Sequence, residues 1–216
     1  MPRRWGQLIA HVKSTRRAQL NICSDLPCTF APSMLPWMKT KLQLEHLKPN
    51  ITTEYLMLAD TLRMEMQKTH QFFLSTIKVL EETDSQFKPK DDMYTVAQQV
   101  AHTAHTVDWF SDNAFNPEGM TFEQEALEEH DKIVLPYTSL AEAKKWLAEA
   151  FVKAAENFGS KSDEELLSLM PEKSLMGPSP RFTCAYGITD HTAHHRGSLA
   201  VYVRMLGKVP NMPYML

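Results

Sequence analysis

Glycine is scarce in this chain, with seven among 216 residues, and no long polar repeat accompanies it. That composition excludes a collagen-like protein and argues against disorder. Cysteine is scarcer still, at three. Cys23 and Cys28 have the wrong spacing for a CxxC redox or zinc pair, and Cys184 stands alone, so no disulfide framework is expected. A reducing compartment, the cytoplasm, is the natural expectation. No apolar run approaches the ~18 residues a membrane-spanning helix needs, so no membrane partner is expected. Excess positive charge is missing too. A net charge of -3 and a pI near 6.3 leave no electrostatic footprint for nucleic acid. Hairpin signals and internal repeats are also absent.

What is present is enough apolar side chain, 43% of residues, to build one core, and the length suits one domain with an appendage. Thirteen methionines fit the irregular gaps of helical cores. Residues 1–45 differ from the rest. They carry Arg3, Arg4, Lys13, Arg16, Arg17, Lys39 and Lys41 against only Asp25 and Glu45, and they lack the apolar stretch of a secretory signal. They read as an upstream extension, with the natural start at Met34 or Met38, in preference to the alternative of an organellar transit peptide. Little ordered structure is expected there, and residues 46–216 form the expected domain.

From Ile51 a helical period takes over. Tyr55, Leu58, Leu62, Met66, Phe73, Ile77 and Leu80 predict one apolar stripe on a long helix. Thr95 and Gln98 make a capping box that opens a second helix, expected to run to about Phe110 with Val96, Val100, Ala104 and Val107 inward. Residues 116–138, with Pro117, Gly119 and Pro136, read as a long connection of the kind that often serves function. Ser139 and Glu142 predict a third long helix, striped by Leu140, Ala143, Leu147, Phe151, Ala154 and Phe158, with Gly159 as a left-handed cap. Ser162 and Glu165 open a shorter helix. A last helix then carries the histidines and stops at Gly207, ahead of Pro210. Four main helices joined by loops of mixed length predict a helical bundle.

The stretch "ITDHTAHHRG" places His191, His194 and His195 within five residues. His191 and His195 are four apart, so their rings stack on one helical face and can grip one ion. His194 is turned about 100° from His195 and does not join them. A metal site that keeps an open position takes three protein ligands. The third must come from a facing helix, and the second helix offers His102 and His105. The competing explanation is that these are hydrogen-bonded core histidines.

"DHTAHHRGSLAVYVRMLGKVPNMPY" resembles the C-terminal motif of the DinB-like (DinB/YfiT) superfamily, His-x-x-His-His-Arg-Gly-Gln. "MYTVAQQVAHTAHTVDWF" resembles its second-helix motif, whose histidine lies seven residues after the Thr or Ser that opens the helix. The resemblance covers roughly residues 51–216. It implies an all-α, up-down-down-up four-helix bundle with a divalent transition metal, zinc, nickel or iron, held by His102, His191 and His195. His105 is the fallback third ligand. Arg196 and Gly197 match the motif, while Ser198 departs from the usual glutamine. The resemblance also implies a homodimer, and it implies a thiol-dependent S-transferase or a hydrolase acting on a small-molecule substrate with a low-molecular-weight thiol as second cofactor.

Three neutral imidazoles leave a bound ion its full charge. Such an ion acidifies water from ~15.7 toward ~7 in the best cases, or holds a thiol as thiolate. No general base is evident. Asp108 and Asp190 read as solvated or capping acids, and Tyr202 as a core residue. Two alternatives stay open beside the enzyme: a non-catalytic, metal-stabilised bundle or stress-response module, and a plain dimerisation bundle.

Overall fold

The computed structural model describes residues 57–121 and 124–214, with no side-chain account of residues 124–127. The expectations for residues 1–45 and the predicted stripe position Tyr55 lie outside the described residues. Six helices and no strand occur among them: α1 (Leu58–Ile77), α2 (Val96–Ala114), α3 (Gln124–Val134), α4 (Leu140–Gly159), α5 (Asp163–Leu167) and α6 (Thr183–Met205). The fold is all-helical, as expected.

α1, α2, α4 and α6 are long, and each is striped for burial. On α1, Leu62, Met66, Phe73 and Ile77 are buried and Leu80 follows them just past its end, while Leu58 packs half-buried at the edge. All six predicted stripe positions of α4 are buried, and so are the four of α2. On α6 the inward stripe is Cys184, Ile188, Thr192, His195, Leu199 and Tyr202, so one candidate ligand is itself a core residue. The Cys184 thiol, packed against Met120 and Met170, is pushed up to about 11 by burial, which makes it a poor nucleophile.

Hydrogen bonds between helices give their directions. Arg63, early on α1, donates to the Gly159 carbonyl at the end of α4. Glu82, just beyond α1, accepts from the backbone N–H of Leu140 and Ala141 at the start of α4, so the two helices are antiparallel. Arg181 donates to the Ala114 carbonyl at the end of α2, and Tyr202 donates to the Tyr94 carbonyl ahead of α2, so α2 and α6 are antiparallel. Asp108 accepts from Trp146 at 2.8 Å, and Asn157 donates to the Ser111 carbonyl at 2.7 Å, so α2 and α4 run together. Asp108 and Lys153 also form an ion pair, so this carboxylate is a cross-helix tie.

Three local expectations turn out differently. α2 continues to Ala114, beyond Phe110. The connection over 116–138 contains α3, an eleven-residue helix whose described residues 128, 129 and 131–133 are exposed. Gly159 is the last helical residue and has no left-handed backbone; among the described residues Gly119 and Gly207 are the glycines with positive φ. Gly159 has a different reason. A Cβ there would stand 2.5 Å from the Arg63 guanidinium that binds its carbonyl.

The capping box at Thr95 forms as read and α5 starts after Ser162, whereas of the box read at Ser139 only the Ser139 half forms, its side chain accepting from the Glu142 backbone N–H. Thr95 matters most, because it orients the helix that carries His102. Its hydroxyl accepts from the Gln98 backbone N–H at 3.2 Å, and Gln98 returns a contact to the Thr95 N–H at 3.0 Å. Thr95→Ala should cost about 1 kcal/mol, read as a lower urea midpoint at unchanged slope.

Candidate metal centre

α2 and α6 meet at three imidazoles. His102 of α2 and His191 and His195 of α6 each offer one ring nitrogen, and those atoms lie within 4.8 Å of one another. His102 Nε2 and His191 Nε2 are 3.2 Å apart. Two nitrogens bound at zinc distances and the tetrahedral angle stand roughly 3.3 Å apart, so this spacing suits one ion. The antiparallel packing explains the match. Two positions one turn apart on α6 face one position on α2.

Burial sets the charge of these rings. His195 is buried, and His102 and His191 are half-buried. Loss of solvent, reinforced by the neighbouring imidazoles, holds His102 down at about 3. Burial first and His194 second lower His191 to about 4, against an opposing pull from Asp190. Burial, then His191 and His102, lower His195 to about 2. All three are therefore neutral near pH 7, the state in which imidazole ligates.

His195 adds the observation that tests the fit. Its Nε2 is buried with no hydrogen-bond partner. An orphaned buried ring nitrogen is costly unless something meets it. Its other nitrogen, Nδ1, lies 2.5 Å from Gln99 Nε2. If that amide donates, the ring hydrogen sits on Nε2, where nothing accepts it. Turning the amide over brings its oxygen against Nδ1–H and leaves the Nε2 lone pair facing His102 and His191. The donor set thus fits a divalent ion, which would be held by His102, His191 and His195.

A sequence model of the DinB family matches residues 38–216. The chain belongs to the DinB family. In this DinB-family chain the two resemblance motifs meet across the α2–α6 contact, and their histidines form the cluster. No curated protein matches the chain.

The remaining candidates fall outside the three-histidine group. His105 packs edge-on against His130, 4.8 Å between ring centres, and against Trp146. His194 is exposed, beside His191 and His195. Asp190 is exposed. The Ser198 hydroxyl donates to the His194 carbonyl within its own helix at 3.2 Å, so it takes no part in the cluster. Tyr202 is a buried core residue. Two residues beside the centre were not legible as such: Gln99, on the inward face of α2, and His130, on α3. The sequence does space Leu127, His130 and Val134 by three and four, a helical signal within a charged stretch.

Proposed function

We propose that this DinB-family chain is a metal-dependent enzyme, a thiol-dependent S-transferase or a hydrolase, acting on a small molecule at the three-histidine centre. The observation that carries the reading is the convergence of three neutral imidazoles on a point where His195 Nε2 has no other partner. A divalent ion there supplies Lewis acidity, which turns a water or a small thiol into a nucleophile at neutral pH. The protein's own part is to hold the three rings, keep them unprotonated, and leave a position for the reactant. The buried Cys184 is an unsuitable internal thiol, so a transferase would take its sulfur from a small-molecule thiol. Exposed Val201, Met205 and Val209, on and just beyond α6, support pairing of two copies. Among the described residues no helix is long and apolar enough to cross a membrane.

A second reading has an observation in its favour. A surface groove of about 740 Å³, lined by Asp112, Phe115, Lys153 and Asn157, touches none of the three histidines. That suits a non-catalytic bundle stabilised by its ion. The test is to load the purified protein with zinc or nickel and screen small thiols with electrophiles, then activated esters. A rate that needs the ion and vanishes in His191→Ala supports the enzyme. A fully loaded protein that turns over neither class favours the second reading.

A further inference from the structure

We propose that His130, backed by Asp131 and Tyr94, is a positioning residue that fixes His102 in the form carrying hydrogen on Nδ1, so that α3 completes the metal centre. The proposal rests on the three-histidine reading above.

A chain of contacts runs from the Asp131 carboxylate through His130 to His102. Asp131 Oδ1 lies 3.2 Å from His130 Nδ1 and 3.2 Å from the Tyr94 hydroxyl. An ionised carboxylate only accepts, so Tyr94 O–H and His130 Nδ1–H donate to it. The His130 tautomer with its hydrogen on Nδ1 presents a lone pair on Nε2. That atom is 2.6 Å from His102 Nδ1, which must therefore be the donor. His102 in turn keeps its lone pair on Nε2, the atom that faces His191 at 3.2 Å. Ligating imidazoles are commonly held this way, by an outer acceptor that fixes both tautomer and ring plane.

The placement of α3 shows that His130 is held. Its side chain is 12% exposed, while Asp131 beside it is 56% exposed and Lys132 is 71% exposed. The ring meets His102 and His105 edge-on, at 4.7 and 4.8 Å between centres. Gln98 donates to the Leu135 carbonyl at 2.7 Å, and Tyr94 reaches Asp131, so the C-terminal end of α3, just beyond His130, is tied to the start of α2. The segment that reads as a connection thus delivers an acceptor to a ligand on another helix.

The test has two readouts. Long-range nitrogen–proton correlation NMR on ion-free, 15N-labelled protein reports which ring nitrogen of His102 carries hydrogen. Wild type should show Nδ1–H. His130→Phe should lose that preference, and His130→Gln, whose amide oxygen accepts, should restore it. In parallel, zinc is titrated against a chromophoric chelator. His130→Phe should weaken zinc about 10- to 100-fold, with substantial recovery in His130→Gln, while circular dichroism confirms equal helix content. An Nε2–H form of His102 in wild type overturns the proposal, as does wild-type zinc affinity in His130→Phe. The tautomer measurement needs no ion, so a wild type that takes up no zinc sinks the metal reading and leaves the His130 assignment to be judged by NMR alone.

Discussion

Wild-type protein purified without a histidine tag should carry about one transition-metal ion per chain, and His102→Ala, His191→Ala or His195→Ala should each carry less than about a tenth of that. The loss is expected to be near total because each ring supplies a third of the protein's ligands. The two nitrogens that remain cannot enclose the ion. His105→Ala and His194→Ala are the controls, since His105 packs on His130 and Trp146, and His194 faces solvent. Both should keep their metal. A second readout is thermal. An ion present at about 1,000 times its dissociation constant stabilises the folded chain by about 4 kcal/mol, so a strong chelator should lower the wild-type Tm by several degrees and leave the three ligand variants unmoved. A metal-free wild type that takes up neither zinc nor nickel at micromolar levels would overturn the metal reading.

Ion-free protein should lose stability steeply as pH falls from about 6.5 to about 4.5. His102, His191 and His195 titrate at about 3, 4 and 2 in the fold, against 6.5 for the free side chain. Burial also lowers His70 and His105. Below pH 6.5 the unfolded chain takes up protons that the folded chain refuses, so stability falls with pH. Each such ring contributes a slope of up to about 1.4 kcal/mol per pH unit, continuing until its folded pKa is reached. Above pH 6.5 the contribution is complete and flat. Carboxylates held low, such as Glu82 and Glu165, act in the same direction but below their ordinary range near 4.5, so the window above that point isolates the histidines. Urea midpoints at pH 7.0, 5.5 and 4.5 should therefore fall more steeply in wild type than in His195→Leu, which removes one contributor. Parallel slopes in the two proteins would contradict the assignment of these rings as neutral and buried.

The parts of the structure that were legible in the sequence are those set by near neighbours. Thr95 with Gln98, three residues apart, forms its capping box as read, and Ser162 with Glu165 opens α5 as expected. The stripes of α1, α2 and α4 repeat within a few turns, and their burial follows. α3 escaped notice because its charged residues lay among prolines and a glycine, and what settles it is docking on α2. Gly159 misled for a related reason. A glycine at a helix end has two common uses, and the one realised here depends on Arg63, 96 residues earlier. The site divides along the same line. The spacing of His191 and His195 is visible locally, whereas His102 and His105 are both offered by α2, and only the register of α2 against α6 brings His102 to the pair. Gln99 and His130 contribute through partners 96 and 28 residues away, and no local pattern announces such a link.

The antiparallel pairing of α2 with α6 also bears on how the chain is made. His102 leaves the ribosome 89 residues before His191, its neighbour in the cluster. A nascent chain ending near residue 182 has α1, α2 and α4 but not the helix that meets Gln99 and His102 and supplies two of the three candidate ligands. Until α6 emerges, the apolar groove it fills is open to water and to other chains, and only one imidazole of the cluster exists. The three-imidazole cluster can therefore assemble only after α6 has been made, and before that the partly made chain exposes apolar surface that favours association with other chains.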